Sequence, residues 1–187
     1  MSDSVKLVAI AAVLAVFSTT AHAQHQHMSG YAGMTARPIK ALSDDQITQL
    51  REGRGMGLSL SAELNSYPGP LHVLEMEQLL DLTPEQRVRL SALQGEMSSQ
   101  AKALGAQIIA AEGRLDAAFA AGTAQQLDIV ATLNEIGRLN GELRAVHILA
   151  HMETRAVLRP EQITRYDVER GYTQRQPARH SAPGHRH

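Results

Sequence analysis

Apolar side chains recur every three or four positions over two long stretches of the chain, and that spacing predicts helices. The first stretch runs Leu90, Leu93, Met97, Ala101, Leu104, Ile108, Leu115 and Phe119. The second runs Ile129, Leu133, Ile136, Asn140, Leu143, His147, Ala150, Thr154 and Val157. Steps of this size keep residues on one face of an α-helix. Thr83-Pro84-Glu85-Gln86 supplies an N-cap, a proline at the first helical position and a capping-box glutamine, so the first long helix begins there. Ala121-Gly122-Thr123 ends it, with glycine suited to the left-handed position after the helix and Thr123 to the next N-cap. Two arms of nearly equal length joined by so short a link predict an antiparallel hairpin.

Shorter elements flank the hairpin. Ser43 is a good N-cap, and Asp44 and Asp45 place negative charge in the first turn behind it. Ile47 and Leu50 begin a helix that meets Gly53, Gly55 and Gly57, and Leu58, Leu60 and Leu64 resume it. No strand precedes these glycines and no Gly-Lys-Ser/Thr follows, which argues against a phosphate-binding loop. Tyr67-Pro68-Gly69-Pro70 is a break. Leu71, Leu74, Leu79 and Leu82, with Met76 nearby, predict a helix of about three turns. Pro160 opens a last short helix with Ile163, Tyr166 and Val168. The fold class is all-α, a long helix hairpin with shorter flanking helices.

The ends read differently. Leu7 to Phe17 is uninterrupted apolar sequence, followed by Ala21-His22-Ala23. An apolar run of roughly ten residues suits a secretory signal better than a membrane span of about twenty. Residues 1–23 are therefore expected to be a cleavable export signal, with a retained anchor as the alternative, and the protein is expected in the periplasm. Residues 24–42 lack periodicity and read as a mobile arm, so that 24–69 comprises an arm and a short N-terminal helix. Residues 70–172 form the hairpin domain, and 173–187 reads as a disordered, histidine-containing tail.

Composition narrows the chemistry. The chain has 187 residues, no cysteine and only 3% aromatics, which excludes thiol catalysis, disulfides and cysteine zinc sites. A formal charge of −1 exerts no pull toward nucleic acid. No His-Glu-x-x-His or Gly-x-Ser-x-Gly motif is present, and pairing with arginine on solvated helix faces accounts for the carboxylates. The reading is not an enzyme.

Leu82-Thr83-Pro84-Glu85-Gln86 at one turn and Leu158-Arg159-Pro160-Glu161-Gln162 at the other resemble the paired LTxxQ motifs of the Spy/CpxP family. The motif residues are Leu82, Thr83, Gln86, Leu158 and Gln162; Arg159 stands where the motif has threonine, so the second turn lacks a hydroxyl cap. The resemblance implies a periplasmic, cradle-shaped homodimer with an ATP-independent chaperone role in envelope stress. It implies unfolded or misfolded envelope proteins as clients, and a two-component or sigma-factor signalling partner. The family includes metal-responsive relatives of the ZraP and CnrX kind.

Nine histidines add a second line. His147 and His151 are four apart and share a helix face, as the two histidines of a zincin helix do. His72 stands about as far before the first turn as these two stand before the second. At 1.5 Å per residue all three lie roughly 10–16 Å from the same end of the bundle. Imidazoles with a thioether from Met76 or Met152, and with Glu75 or Glu153 completing the shell, would suit Zn, Cu or Ni. The bland alternative is a core His147 satisfied by hydrogen bonds and a surface His151. The histidines of the N-terminal arm (His25, His27) and of the tail (His180, His185, His187) are lesser candidates.

Two functions follow. One is a periplasmic chaperone whose mid-helix glycines (Gly95, Gly105, Gly113, Gly137 and Gly141) lend an adaptable surface. The other is a heavy-metal sensor or buffer using His72, His147 and His151.

Overall fold

A computed structural model describes residues 30–173 of the chain. The expected export signal, the first six residues of the arm (24–29) and the tail from Gln174 lie outside them. The chain divides at Gly33/Met34, and helices α1 to α6 all belong to the second unit. They are α1 (Asp44–Glu52), α2 (Leu60–Glu63), α3 (Pro70–Glu75), α4 (Pro84–Ala120), α5 (Gln126–Val157) and α6 (Pro160–Glu169). The described residues contain no strand. None of their helices is long and apolar enough to cross a membrane.

The hairpin is α4 against α5, 37 and 32 residues long. Its antiparallel sense shows in two links: Gln86 donates to the Val157 carbonyl at one end, and Arg114 pairs with Glu135 near the other. Gly122 takes the expected left-handed conformation (φ 66°). Thr123 does not cap α5, which starts at Gln126 behind an uncapped Gln125; its hydroxyl turns back to the Ala118 carbonyl.

Both motif turns are true breaks. Thr83 and Gln86 form the complete reciprocal capping box. At the second turn Leu158 and Arg159 are extended (ψ 149° and 155°), and the Gln162 side chain accepts from the Arg159 N–H at 2.9 Å. Proline and glutamine therefore suffice without the threonine hydroxyl. The two motif glutamines then meet. Gln86 Nε2 donates to Gln162 Oε1 at 2.9 Å, and Gln162 Nε2 donates to Gln86 Oε1 and to the Leu80 carbonyl, each at 3.0 Å. This amide clasp ties α6, the 76–82 segment and the start of α4 together.

That segment is not the three-turn helix its leucines suggest. Helix α3 ends at Glu75, and the chain continues in turns, with Asp81 at φ 48°. The carbonyls that a longer helix would leave at its end are claimed by side chains of α6: Arg165 takes the Leu79 carbonyl, Gln162 those of Leu80 and Asp81. Nor is the whole arm free. Leu42 is buried, Ile39 packs on the core, and Lys40 bonds Asp116 through both its backbone and its ammonium.

The core is two apolar clusters. One joins Leu42, Ile47 and Leu50 to Ala101, Ile108, Ala111, Ile136, Leu139 and Leu143. The other joins Val73, Leu80 and Leu82 to Leu90, Leu158 and Tyr166. Along α4 no apolar residue is fully buried between Leu90 and Ala101; from Leu143 to the end of α5 only Ala150 is, and the buried polar residues His147, His151 and Thr154 stand beside it.

Candidate functional site

This stretch borders a cavity of about 330 Å³, lined among others by Glu63, His72, Gln94, His147, His151 and Arg170. Each long helix contributes from this stretch: Gln94 and Met97 from α4, His147 and His151 from α5. Helix α3 brings His72, α2 brings Glu63, and the chain after α6 brings Arg170 and Tyr172. The three histidines singled out by spacing thus line one cavity.

His147 is 2% exposed, and its Nε2 has no hydrogen-bond partner among the described residues. Burial, together with the neighbouring His151, pushes this imidazole below the usual histidine range, so at neutral pH it is uncharged and carries a lone pair. This is not the satisfied core histidine of the bland alternative. His151 is also buried. Its Nδ1 lies 2.7 Å from the Tyr67 carbonyl, an acceptor only, which makes Nδ1 the protonated nitrogen and leaves Nε2 with the lone pair in the neutral ring. An imidazole held by a backbone carbonyl through its other nitrogen is the arrangement seen in metal-ligating histidines. The ring edge packs closely on Gly69, where a Cβ would come within 2.8 Å of Nε2. His72 Nδ1 is buried without a hydrogen-bond partner among the described residues, as is Gln94 Oε1.

Glu63 organises the cavity. It is 5% exposed. One carboxylate oxygen accepts the hydroxyls of Tyr166 and Tyr172 and lies 3.7 Å from His72 Nδ1. The other accepts the Gly69 N–H at 3.1 Å and lies 3.5 Å from His151 Nδ1. Burial works to raise its pKa, but His72, the two tyrosine hydroxyls and His151 outweigh it and hold the carboxyl down at about 2. Burial and the Glu63 carboxylate drive the Tyr166 hydroxyl well above its ordinary value, so Tyr166 stays a donor. A second tie between α6 and the 64–69 loop is Ser66 donating to Asp167 at 2.6 Å.

The other expected donors lie elsewhere. Met76 packs on the apolar cluster around Val73, and Met152 is 49% exposed. Glu75 and Glu153 line different surface depressions. The methionines that line the cavity are Met56 and Met97, and its carboxylate is Glu63. Among the described residues no three His, Asp or Glu side chains stand close enough to hold an ion between them.

Comparison with curated proteins and with solved structures returns no match. Residues 69–165 match a family model described as heavy-metal resistance, a family related to the Spy/CpxP-like helical proteins and non-enzymatic in general. The match opens at Gly69 against the His151 ring, contains both capped turns and all three cavity histidines, and takes in just over half of the sequence. The chain belongs to the heavy-metal resistance family.

Proposed function

We propose that the protein binds a heavy-metal ion in this cavity, as a periplasmic sensor or buffer in metal resistance. The observation that carries the reading is the buried, unpartnered Nε2 of His147 in a cavity shared with His72 and His151. An unsatisfied polar atom at such depth costs about 1–3 kcal/mol, and an ion supplies the missing partner. Zinc, copper and nickel all accept imidazole. Competitive titration of the full chain with each ion is expected to give one tight site per chain. His147→Ala with His151→Ala should weaken it by about 100-fold or more, since even outer-shell changes cost 10–100-fold. Substituting His180, His185 and His187 should leave it intact. Affinity unchanged in the His147/His151 double variant would sink the reading.

A chaperone role has its own supporting observation. Val88, Phe119, Leu127, Leu133 and Leu149 on the two long helices are between 49% and 85% exposed. Leu93, Met97, Val146 and Leu149 also line an open groove between α4 and α5. Apolar groups on adaptable helices suit transient binding of unfolding chains. The expected result is suppressed aggregation of a denatured client at stoichiometric ratio without nucleotide, reduced by Leu133→Glu with Leu149→Glu. No suppression by the unaltered protein removes this role. A homodimeric cradle and a two-component or sigma-factor partner belong to the same proposal, and metal could tighten such a dimer while it holds clients.

A further inference from the structure

The cavity's carboxylate is already engaged. Glu63 accepts two tyrosine hydroxyls on one oxygen and a backbone N–H on the other, so it has little left to offer an ion. Among the described residues, the donors left in the lining are imidazole nitrogens, the unpartnered Gln94 Oε1 and the thioethers of Met56 and Met97. His, Asp and Glu alone do not close around an ion among the described residues, and the lining adds two thioether-bearing residues to that set. Their placement is informative. Met97 lies three residues beyond Gln94 on α4, in the stretch between Leu90 and Ala101. Met56 sits between Gly55 and Gly57 at the cavity's rim, ahead of α2, with φ 48° and 39% exposure. A residue bearing a side chain pays on the order of 1 kcal/mol to adopt that left-handed conformation. Gly57 beside it is left-handed too (φ 75°), so the sulfur is carried at the first of two consecutive left-handed residues.

We propose that Met56 and Met97 join His147 and His151 in a site for a soft monovalent ion, Cu(I) by class, closed on one side by the Gly55–Met56–Gly57 segment. The proposal rests on the histidine-cavity reading and adds the selectivity. Thioether sulfur is a soft donor that favours Cu(I), whereas Zn(II) is held by thiolate, imidazole and carboxylate.

The test uses the full chain, titrated anaerobically with Cu(I) against a chromogenic Cu(I) chelator, with Ag(I) as a redox-inert probe and Zn(II) in parallel. Leu substitutes for Met at nearly constant volume, so Met56→Leu with Met97→Leu should fold, and circular dichroism checks that it does. The double variant is expected to lose at least roughly tenfold in Cu(I) and Ag(I) affinity while Zn(II) affinity changes little. X-ray absorption of the Cu(I) form should show sulfur scattering that the variant lacks. Met76→Leu with Met152→Leu should behave as the unaltered protein. Cu(I) binding that requires His147 and His151 but is unchanged without Met56 and Met97 overturns this inference and leaves the histidine site standing. Failure of every ion, or binding indifferent to the histidines, overturns both.

Discussion

Glu63→Ala is expected to lower the stability of the metal-free protein by about 3 kcal/mol, the cost of leaving two or three buried donors unsatisfied at 1–3 kcal/mol each. Those donors are the Tyr166 and Tyr172 hydroxyls and the Gly69 N–H. For a chain of this size the loss corresponds to a fall in Tm of roughly 10 °C. Glu63→Gln should fall between, because its amide keeps an acceptor for the tyrosines but turns an N–H₂ toward other donors. The effect has a pH signature. The carboxyl sits at about 2 in the folded chain against an ordinary value of 4.5. A depressed acid contributes stability in full above its unfolded pKa and loses it as pH falls through the folded one. The Glu63 contribution should therefore be complete above pH 4.5 and fade toward pH 2, worth about 3 kcal/mol at 1.36 kcal/mol per unit. His147, whose imidazole is pushed down by burial, acts in the same direction at higher pH: the unfolded chain takes up its proton first, so acidification below the ordinary histidine range also favours unfolding. Urea melts in chelator from pH 2 to 7, compared between unaltered protein and Glu63→Gln, separate the two. A constant difference down to pH 2 would mean that Glu63 carries no such linkage.

Which parts of this arrangement the sequence discloses depends on how local each interaction is. The hairpin is legible because period, caps and the Gly122 turn are all read within a few residues. His147 and His151 are legible for the same reason, since four residues on one helix fix a shared face. His72 joins them only through counting from two turns, which works because the amide clasp of Gln86 and Gln162 brings those turns together. Glu63 is not legible. Leu60 and Leu64 beside it look like the inward face, yet they are 54% and 58% exposed while the glutamate is buried. What inverts the pattern is a pair of tyrosines 103 and 109 residues further on. The thioethers mislead for a related reason. Met76 and Met152 are near the histidines along the chain, but those that line the cavity come from α4 and from the loop ahead of α2. Helix α3 stops at Glu75 and the turns after it are held by side chains of α6 on the Leu79 and Leu80 carbonyls, which no local period reveals.

Gly105→Ala is the second large effect, and its sign runs against helix propensity. Mid-helix glycine to alanine ordinarily stabilises by about 1 kcal/mol, and the five glycines of α4 and α5 look alike in sequence. At Gly105 an added Cβ would lie 2.1 Å from the Leu50 carbonyl oxygen and 2.7 Å from its carbon. These are backbone atoms at the end of α1, so no rotamer change relieves the clash and the whole helix must lift. Lifting α1 exposes Ile47 and Leu50, which with Leu42 cover Ala101, Ile108 and Ala111. Overpacking of this kind costs about 1–3 kcal/mol, and uncovering two aliphatic side chains adds about 1.5–3 kcal/mol each if they become fully exposed. A net destabilisation of about 3 kcal/mol is expected, concentrated in α1. Gly141→Ala is the matched control: none of the described residues lies within 4 Å of the added carbon, so it should stabilise by about 0.5–1 kcal/mol. Hydrogen exchange should show amides of α1 losing protection in Gly105→Ala while those around His147 keep theirs, because the cavity lies beyond this cluster along α5. If both alanine variants stabilise alike, α1 does not pack on α4 as described, and the apolar cluster that bounds the cavity on that side is wrong.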